Sequence, residues 1–184
     1  MPHDESPAAV GRDAVVEALL DAAEAEFLDV GVAAASVRRI AARARVNHGL
    51  VHRHFGSKTG LVAAVLERLA HQTADAFERG EEPAAVLDTA SPFGRHLRVL
   101  ARAALDNVDM RSLQSSHPVA ERLVSRLQSQ LGLSADEARR AAAHLMALTF
   151  GVQLFGPFIC EATGADAGDL RHDLTRAAVS LARR

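Results

Sequence analysis

The sequence predicts an all-α protein of about nine helices, and three observations carry that prediction. Ala, Leu and Arg are the commonest residues while Tyr and Trp are absent, whereas strands favour β-branched and aromatic side chains. Apolar residues recur at spacings of three and four along most of the chain, which places them on one face of a helix. Cap residues stand ahead of each apolar run: Ser36, Asn47, Ser57, Ser91, His117 and Ser134. With 184 residues, 48% of them hydrophobic, the chain has material for one sizeable core or two small ones.

Residues 1–11 are expected to be a flexible tail. Val16, Leu19, Leu20, Ala23, Phe27 and Val30 then define the apolar face of a first helix over 12–30, which Gly31 stops. A short second helix runs from the cap Ser36, whose hydroxyl is expected to bond an orphan backbone N–H, to about Arg43. After the turn Ala44-Arg45-Val46, Asn47 caps a third helix reaching His54, and Ser57 caps a longer fourth through Leu61, Val65 and Leu69. The pattern lapses from Glu81 to Ser91. Ser91-Pro92 and His117-Pro118 then each read as a cap followed by proline at the first helical position. They open helices to about Asn107 and about Leu131. Ser134 to Glu137 has capping-box spacing before the longest helix, and Asp166 to Arg184 forms the last, with Arg183 and Arg184 suiting its C-terminal dipole.

The formal net charge of −2 hides an uneven distribution. No acidic residue occurs between Asp29 and Glu67, a stretch that holds Arg38, Arg39, Arg43, Arg45, Arg53 and Lys58. His48, His52 and His54 add donors that a phosphate would favour in the protonated form. Two short helices joined by a tight turn, braced by a preceding helix, form the arrangement that places a recognition helix in the DNA major groove. Ile40, Ala41, Val46, Val51 and Phe55 are the expected small core that sets the angle between those helices. Gly49, in the first turn of the third helix, has no side chain and would let that helix approach DNA closely.

Gly31, Ser36-Val37-Arg38-Arg39-Ile40-Ala41, Val46, Gly49, His52-Arg53-His54-Phe55, Ser57-Lys58 and Leu61 together resemble the N-terminal signature of the TetR family of bacterial regulators. Leu19 to Ala23 and Phe27 are similar to that family's first helix, so the resemblance spans residues 12–66. It implies a helix-turn-helix DNA-binding domain over 12–72, with the motif at 36–54, and a C-terminal effector-binding and dimerisation domain over 73–184. It also implies DNA contacts from Ser36, Arg38, Arg39, Arg45, Asn47, His48, Gly49, Leu50, His52, Arg53, His54 and Lys58. Residues at the start of the third helix would touch base edges, with Leu50 against a thymine methyl, while Lys58 would hold a phosphate. His52 departs from the family pattern, where Tyr is common. Arg45 stands where the family usually has Gly in the turn, and Arg39 where an acidic residue often completes the cap. Arg45 therefore raises the matter of a non-Gly residue at positive φ.

Other chemistries find little support. His48 and His52 have metal-ligand spacing, but no further ligand lies nearby, so no metal is expected. No phosphate-binding glycine loop or nucleophile elbow occurs, and Cys160 lies in an apolar run, so no enzymatic activity and no cofactor are expected. Ala141 to Cys160 carries no charge and has spanning length, but His144, Thr149, Gln153 and a helix-breaking Gly156-Pro157 argue against a membrane segment. The single cysteine and the absence of a secretory signal point to the cytoplasm.

The resemblance places an effector pocket in the C-terminal domain, for which His96, Leu100, Leu113, His117, Phe150 and Gln153 are the candidates. It also pairs the last two helices with a second copy, through Leu145, Leu148, Val152, Phe155, Leu174 and Ala178. Together these imply a homodimeric repressor that binds palindromic double-stranded operator DNA and is released by an unknown, largely apolar small molecule.

Overall fold

The computed structural model describes residues 7–79, 90–109, 113 and 116–182. Among them stand eight helices and no strand: α1 (Pro7–Val30), α2 (Val37–Arg43), α3 (Gly49–Phe55), α4 (Lys58–Glu78), α5 (Pro92–Leu105), α6 (Pro118–Leu131), α7 (Ala135–Thr163) and α8 (Ala167–Ala182). The expected lapse after Glu81 falls mostly outside the described residues, as do Arg183 and Arg184. Part of the expected N-terminal tail is helical. α1 begins at Pro7, not at residue 12, because proline is well suited to a first helical turn, where its missing N–H would have had no partner.

The chain forms two compact units. One comprises Met1–Arg68 with Val99–Ser115, the other Leu69–Arg98 with Ser116–Arg184. The second half of α5 thus belongs with the N-terminal unit. Leu19, Ala23 and Phe27 of α1, Ile40 of α2, Val51 of α3, Leu61, Val65 and Leu66 of α4, and Val99 and Ala103 of α5 are fully buried there. Val46 and Phe55 are only half-buried.

Arg68 braces the same unit. Its guanidinium binds Asp21 at 2.7 Å, Glu24 at 2.8 Å and Glu17 at 3.2 Å, three carboxylates that lie three and four residues apart and so on one face of α1. Burial opposes the charge on Arg68, but the hydrogen bonds it donates to Asp21 and Glu24, with the negative charge of both, outweigh it and raise its pKa.

In the C-terminal unit Leu127, Leu133, Ala138, Ala141 and Ala142 form a core between α6 and α7, with Leu123 and Val124 against it. α7 packs along both α6 and α8. Its start has the capping box expected from sequence: Ser134 Oγ accepts from the Glu137 N–H, and the Glu137 carboxylate accepts from the Ser134 N–H. Gly156-Pro157 does not break it. The helix continues through Pro157 to Thr163, with Gly156 buried; proline removes a single hydrogen bond from a helix whose neighbouring turns stay packed. By length and composition, α7 is apolar enough to cross a membrane.

Candidate nucleic-acid interface

α2 and α3 are seven residues each, too short to persist alone, so their placement depends on tertiary packing. α2 leans on α1. Arg39 reaches back to Glu26, Nε to Oε1 at 2.9 Å and Nη2 to Oε2 at 3.3 Å, and Arg43 pairs with Asp29 at 2.8 Å. Glu26 is buried at 3% exposure, so Arg39 is the counter-ion of an otherwise stranded carboxylate. Its guanidinium fixes α2 on α1 through this pair while 59% of the side chain stays exposed. Arg38, Arg45 and Arg53 are exposed and have no carboxylate partner among the described residues.

The turn after α2 closes as a Schellman motif. Val46 N–H donates to Ala41 O at 3.0 Å and Arg45 N–H to Ala42 O at 3.1 Å, with Arg45 in the left-handed region at φ 57°. The arginine that replaces the usual glycine, and that put the turn geometry in question, adopts the left-handed conformation all the same and carries its strain. Ser36 has the extended backbone of an N-cap, yet its hydroxyl makes no capping bond, contrary to expectation. Its helix is held by the Arg39 and Arg43 ion pairs instead.

Asn47 caps α3 as expected: Oδ1 accepts from the Gly49 N–H at 2.8 Å. A Cβ on Gly49 would sit 3.2 Å from that oxygen, so the missing side chain makes room for the cap. His48 is exposed, Leu50 is half-buried and Val51 faces the core. His54, half-buried, meets Phe55 in a tilted ring contact at 6.3 Å.

α3 ends in a feature that sequence reasoning missed. Gly56 has φ 72° and ψ −46°, and Ser57 N–H donates across it to Phe55 O at 2.8 Å, a γ-turn of the positive-φ kind that glycine adopts without steric cost. Ser57 then caps α4 by accepting the Gly60 N–H at 3.0 Å. A Cβ on Gly60 would lie 2.1 Å from Phe55 O, so α3 and α4 meet through bare backbone. Lys58, half-buried, donates to Ala33 O at 2.9 Å, and Ala33 N–H donates to Asp106 at 2.6 Å. The strap from Gly31 to Ser36 is thereby tied on both sides. Two of the Lys58 ammonium hydrogens remain for an anion.

His96 is buried and neutral, its pKa lowered to about 4 by desolvation, and its Nε2 has no partner. Gln153 Nε2 and His144 Nδ1 are likewise buried without one. His96, Phe150 and Gln153 belong to the C-terminal unit, Leu100 and Leu113 to the N-terminal one. His117 is exposed and precedes α6 without a side-chain cap. A groove of about 220 Å³ in the C-terminal unit is lined by other residues, among them Phe77, Arg122, Leu123 and Arg126.

Of the dimer candidates Leu145, Leu148 and Val152 are half-buried, Phe155 is exposed, and the Ala178 side chain lies outside the described residues. Leu174 is buried inside its own subunit at 7% exposure, where α8 packs on α7. Among the described residues no cluster of three or more His, Cys, Asp or Glu side chains is arranged to hold a metal ion.

Residues 19–65 match the model of the bacterial regulatory proteins of the tetR family. The HTH-type transcriptional repressor Rv3405c of Mycobacterium tuberculosis is 47% identical over 160 residues, which cover 85% of this chain and 81% of that protein. The HTH-type transcriptional regulator BetI of Pseudomonas aeruginosa is 29% identical over 178 residues, covering 85% and 86%. A transcriptional regulator from Rhodococcus sp. Rha1, RHA1_ro04179, superposes with a TM-score of 0.65 at 25% identity, over 90% of this chain and 94% of that one. Helix-turn-helix geometry, cationic surface and relatives agree: the chain belongs to the TetR family of DNA-binding transcriptional regulators.

Proposed function

We propose that the protein is a homodimeric repressor that binds a palindromic operator through α2, α3 and the start of α4 and leaves it when a small molecule occupies the C-terminal unit. The observation that carries the DNA reading is the division of labour among the arginines. Arg39 and Arg43 are neutralised by α1, while Arg38, Arg45 and Arg53 keep exposed, uncompensated charge beside α3. His48 and Leu50 meet base edges; Asn47, with its oxygen committed to the cap, has only its amide hydrogens to offer. Lys58, Arg45 and Arg53 meet phosphates. The similar Mycobacterium tuberculosis protein is a transcriptional repressor, which favours repression here.

Homodimer formation is supported by Leu154, Phe155 and Phe158, exposed on α7, with Leu148 and Gly151 extending the Phe155–Phe158 stripe at helical spacing. A second copy covering this stripe would place two readers about one helical turn of DNA, or a multiple, apart. An effector is supported by the orphaned polar atoms of His96 and Gln153, which an otherwise apolar ligand with one or two hydrogen-bonding groups would satisfy. Such a regulator works in the cytoplasm, where its operator is.

The test is binding to DNA upstream of the chain's own gene at several salt concentrations. A steep negative dependence of affinity on salt is expected from neutralised phosphates, and a flat one overturns the reading. Lys58→Ala is expected to weaken all sequences alike, whereas His48→Ala or Leu50→Ala changes preference among them.

A further inference from the structure

His52 is exposed near the end of α3, in a stretch without carboxylates, and its ring is not at liberty to choose a tautomer. Nδ1 lies 3.2 Å from Gly56 O. A carbonyl oxygen only accepts, so Nδ1 carries the hydrogen. The γ-turn holds that carbonyl in place, and the bond from Gly56 N–H to His52 O at 3.0 Å closes the same loop through the backbone. In the neutral ring Nε2 is then a bare lone pair. A DNA phosphate oxygen is also an acceptor, and two acceptors cannot share a hydrogen bond. Contact requires a hydrogen on Nε2, and with Nδ1 already protonated that means the imidazolium.

We propose that His52 grips a DNA phosphate only as the imidazolium, so that each subunit takes up a proton when it binds and affinity for DNA falls as pH rises. The inference rests on the DNA-binding reading above. Between residues 36 and 66 the other charged and titratable groups are Arg38, Arg39 and Arg43 on α2, Arg45 in the turn, His48, Arg53 and His54 on α3, and Lys58 at the start of α4, whose remaining charged and titratable residues, Glu67, Arg68, His71, Asp75 and Glu78, begin nine positions further along the helix. The acids that α1 sends toward α2, Glu26 and Asp29, are already held by Arg39 and Arg43. The phosphate is therefore the anion that the imidazolium meets, and it favours the charged ring.

The experiment measures affinity for one operator fragment at constant ionic strength between about pH 6 and pH 8, where histidines change charge. One proton per subunit corresponds to a weakening of up to about tenfold per subunit per pH unit. Binding heats in two buffers of different ionisation enthalpy count the same protons directly. His52→Tyr, whose hydroxyl donates at every pH in this range, and His52→Gln, whose amide does too, are each expected to reduce the uptake by one proton per subunit. His48→Gln is expected to retain the His52 proton and so separates the neighbouring histidine's share. Should both His52 variants fold, as judged by circular dichroism, and keep the full pH slope, the proposal is overturned. It is equally overturned if the wild-type protein binds with no pH slope, an outcome that leaves the DNA reading standing. Absence of binding at low salt at every pH would instead overturn the DNA reading itself.

Discussion

Replacing Arg45 by glycine separates two effects that usually travel together. Arg45 holds φ 57° at the close of α2, where a non-glycine residue costs about 1–2 kcal/mol. Glycine removes that strain, but its greater freedom in the unfolded chain returns about 0.5–1 kcal/mol. The Schellman bonds from Arg45 N–H and Val46 N–H are backbone bonds and survive the change. Arg45→Gly should therefore be neutral to about 1.5 kcal/mol stabilising, a rise of about 0–5 °C in Tm for a chain of this length. DNA binding should move the other way. Each neutralised phosphate contributes about 0.9 to the slope of log affinity against log salt, so losing one per subunit of a dimer lowers that slope by about 1.8. Between about 50 and about 200 mM salt the variant would then lose about 12-fold less affinity than the wild type, starting from a weaker complex. Thermal unfolding and anisotropy titrations at four salt concentrations read both quantities. A fall of several degrees would show that the arginine side chain holds the turn, and an unchanged salt slope would show that it never meets a phosphate; either refutes the reasoning.

Two further predictions follow from the same geometry. Gly60→Ala puts a Cβ 2.1 Å from Phe55 O, where only a shift of backbone relieves the overlap. A loss of about 2–3 kcal/mol in urea unfolding is expected, with DNA binding failing as α3 is displaced, and wild-type stability would contradict the close approach. His96 binds its proton at about pH 4 in the folded chain but near the ordinary 6.5 when unfolded. The unfolded state is thus the better proton binder between those values, and the stability conferred by the neutral, buried ring is complete above about 6.5 and lost as pH falls toward 4. Urea unfolding should weaken by about 2 kcal/mol between about pH 7 and pH 5, and His96→Met should remove that increment. An identical pH dependence in His96→Met would place the titrating group elsewhere.

Much of the reader was legible because its determinants are local. Apolar spacing located α1 to α4, and Asn47 and Ser57 cap as their side chains suggest, whereas the arginine at a glycine position left the turn geometry open until its positive φ was seen. What escaped were contacts between residues far apart in sequence. The ion pair of Arg39 was hidden because its partner Glu26 is thirteen positions away on another helix, and no periodicity links the two. The Ser36 cap was plausible by residue type, yet those ion pairs hold α2 without it. The γ-turn at Gly56 and the bare backbone at Gly60 depend on how closely two helices approach, which composition does not encode. At Gly156-Pro157 local propensity pointed to a break, and the packing of α7 along its neighbours overrode it. Leu174 is buried within its own subunit, which periodicity alone does not reveal.

The α-carbon of Ala33 sits between two peptide groups with different obligations. The one before it gives its hydrogen to Asp106 just beyond α5, and the one after it gives its oxygen to Lys58 at the head of α4. A methyl-bearing residue with no chemistry of its own is thus a relay in which every component is main chain except the two ends. Side-chain variation at Ala33 would leave the relay intact, whereas Ala33→Pro, by deleting one hydrogen, would cut the reader's lysine off from Asp106.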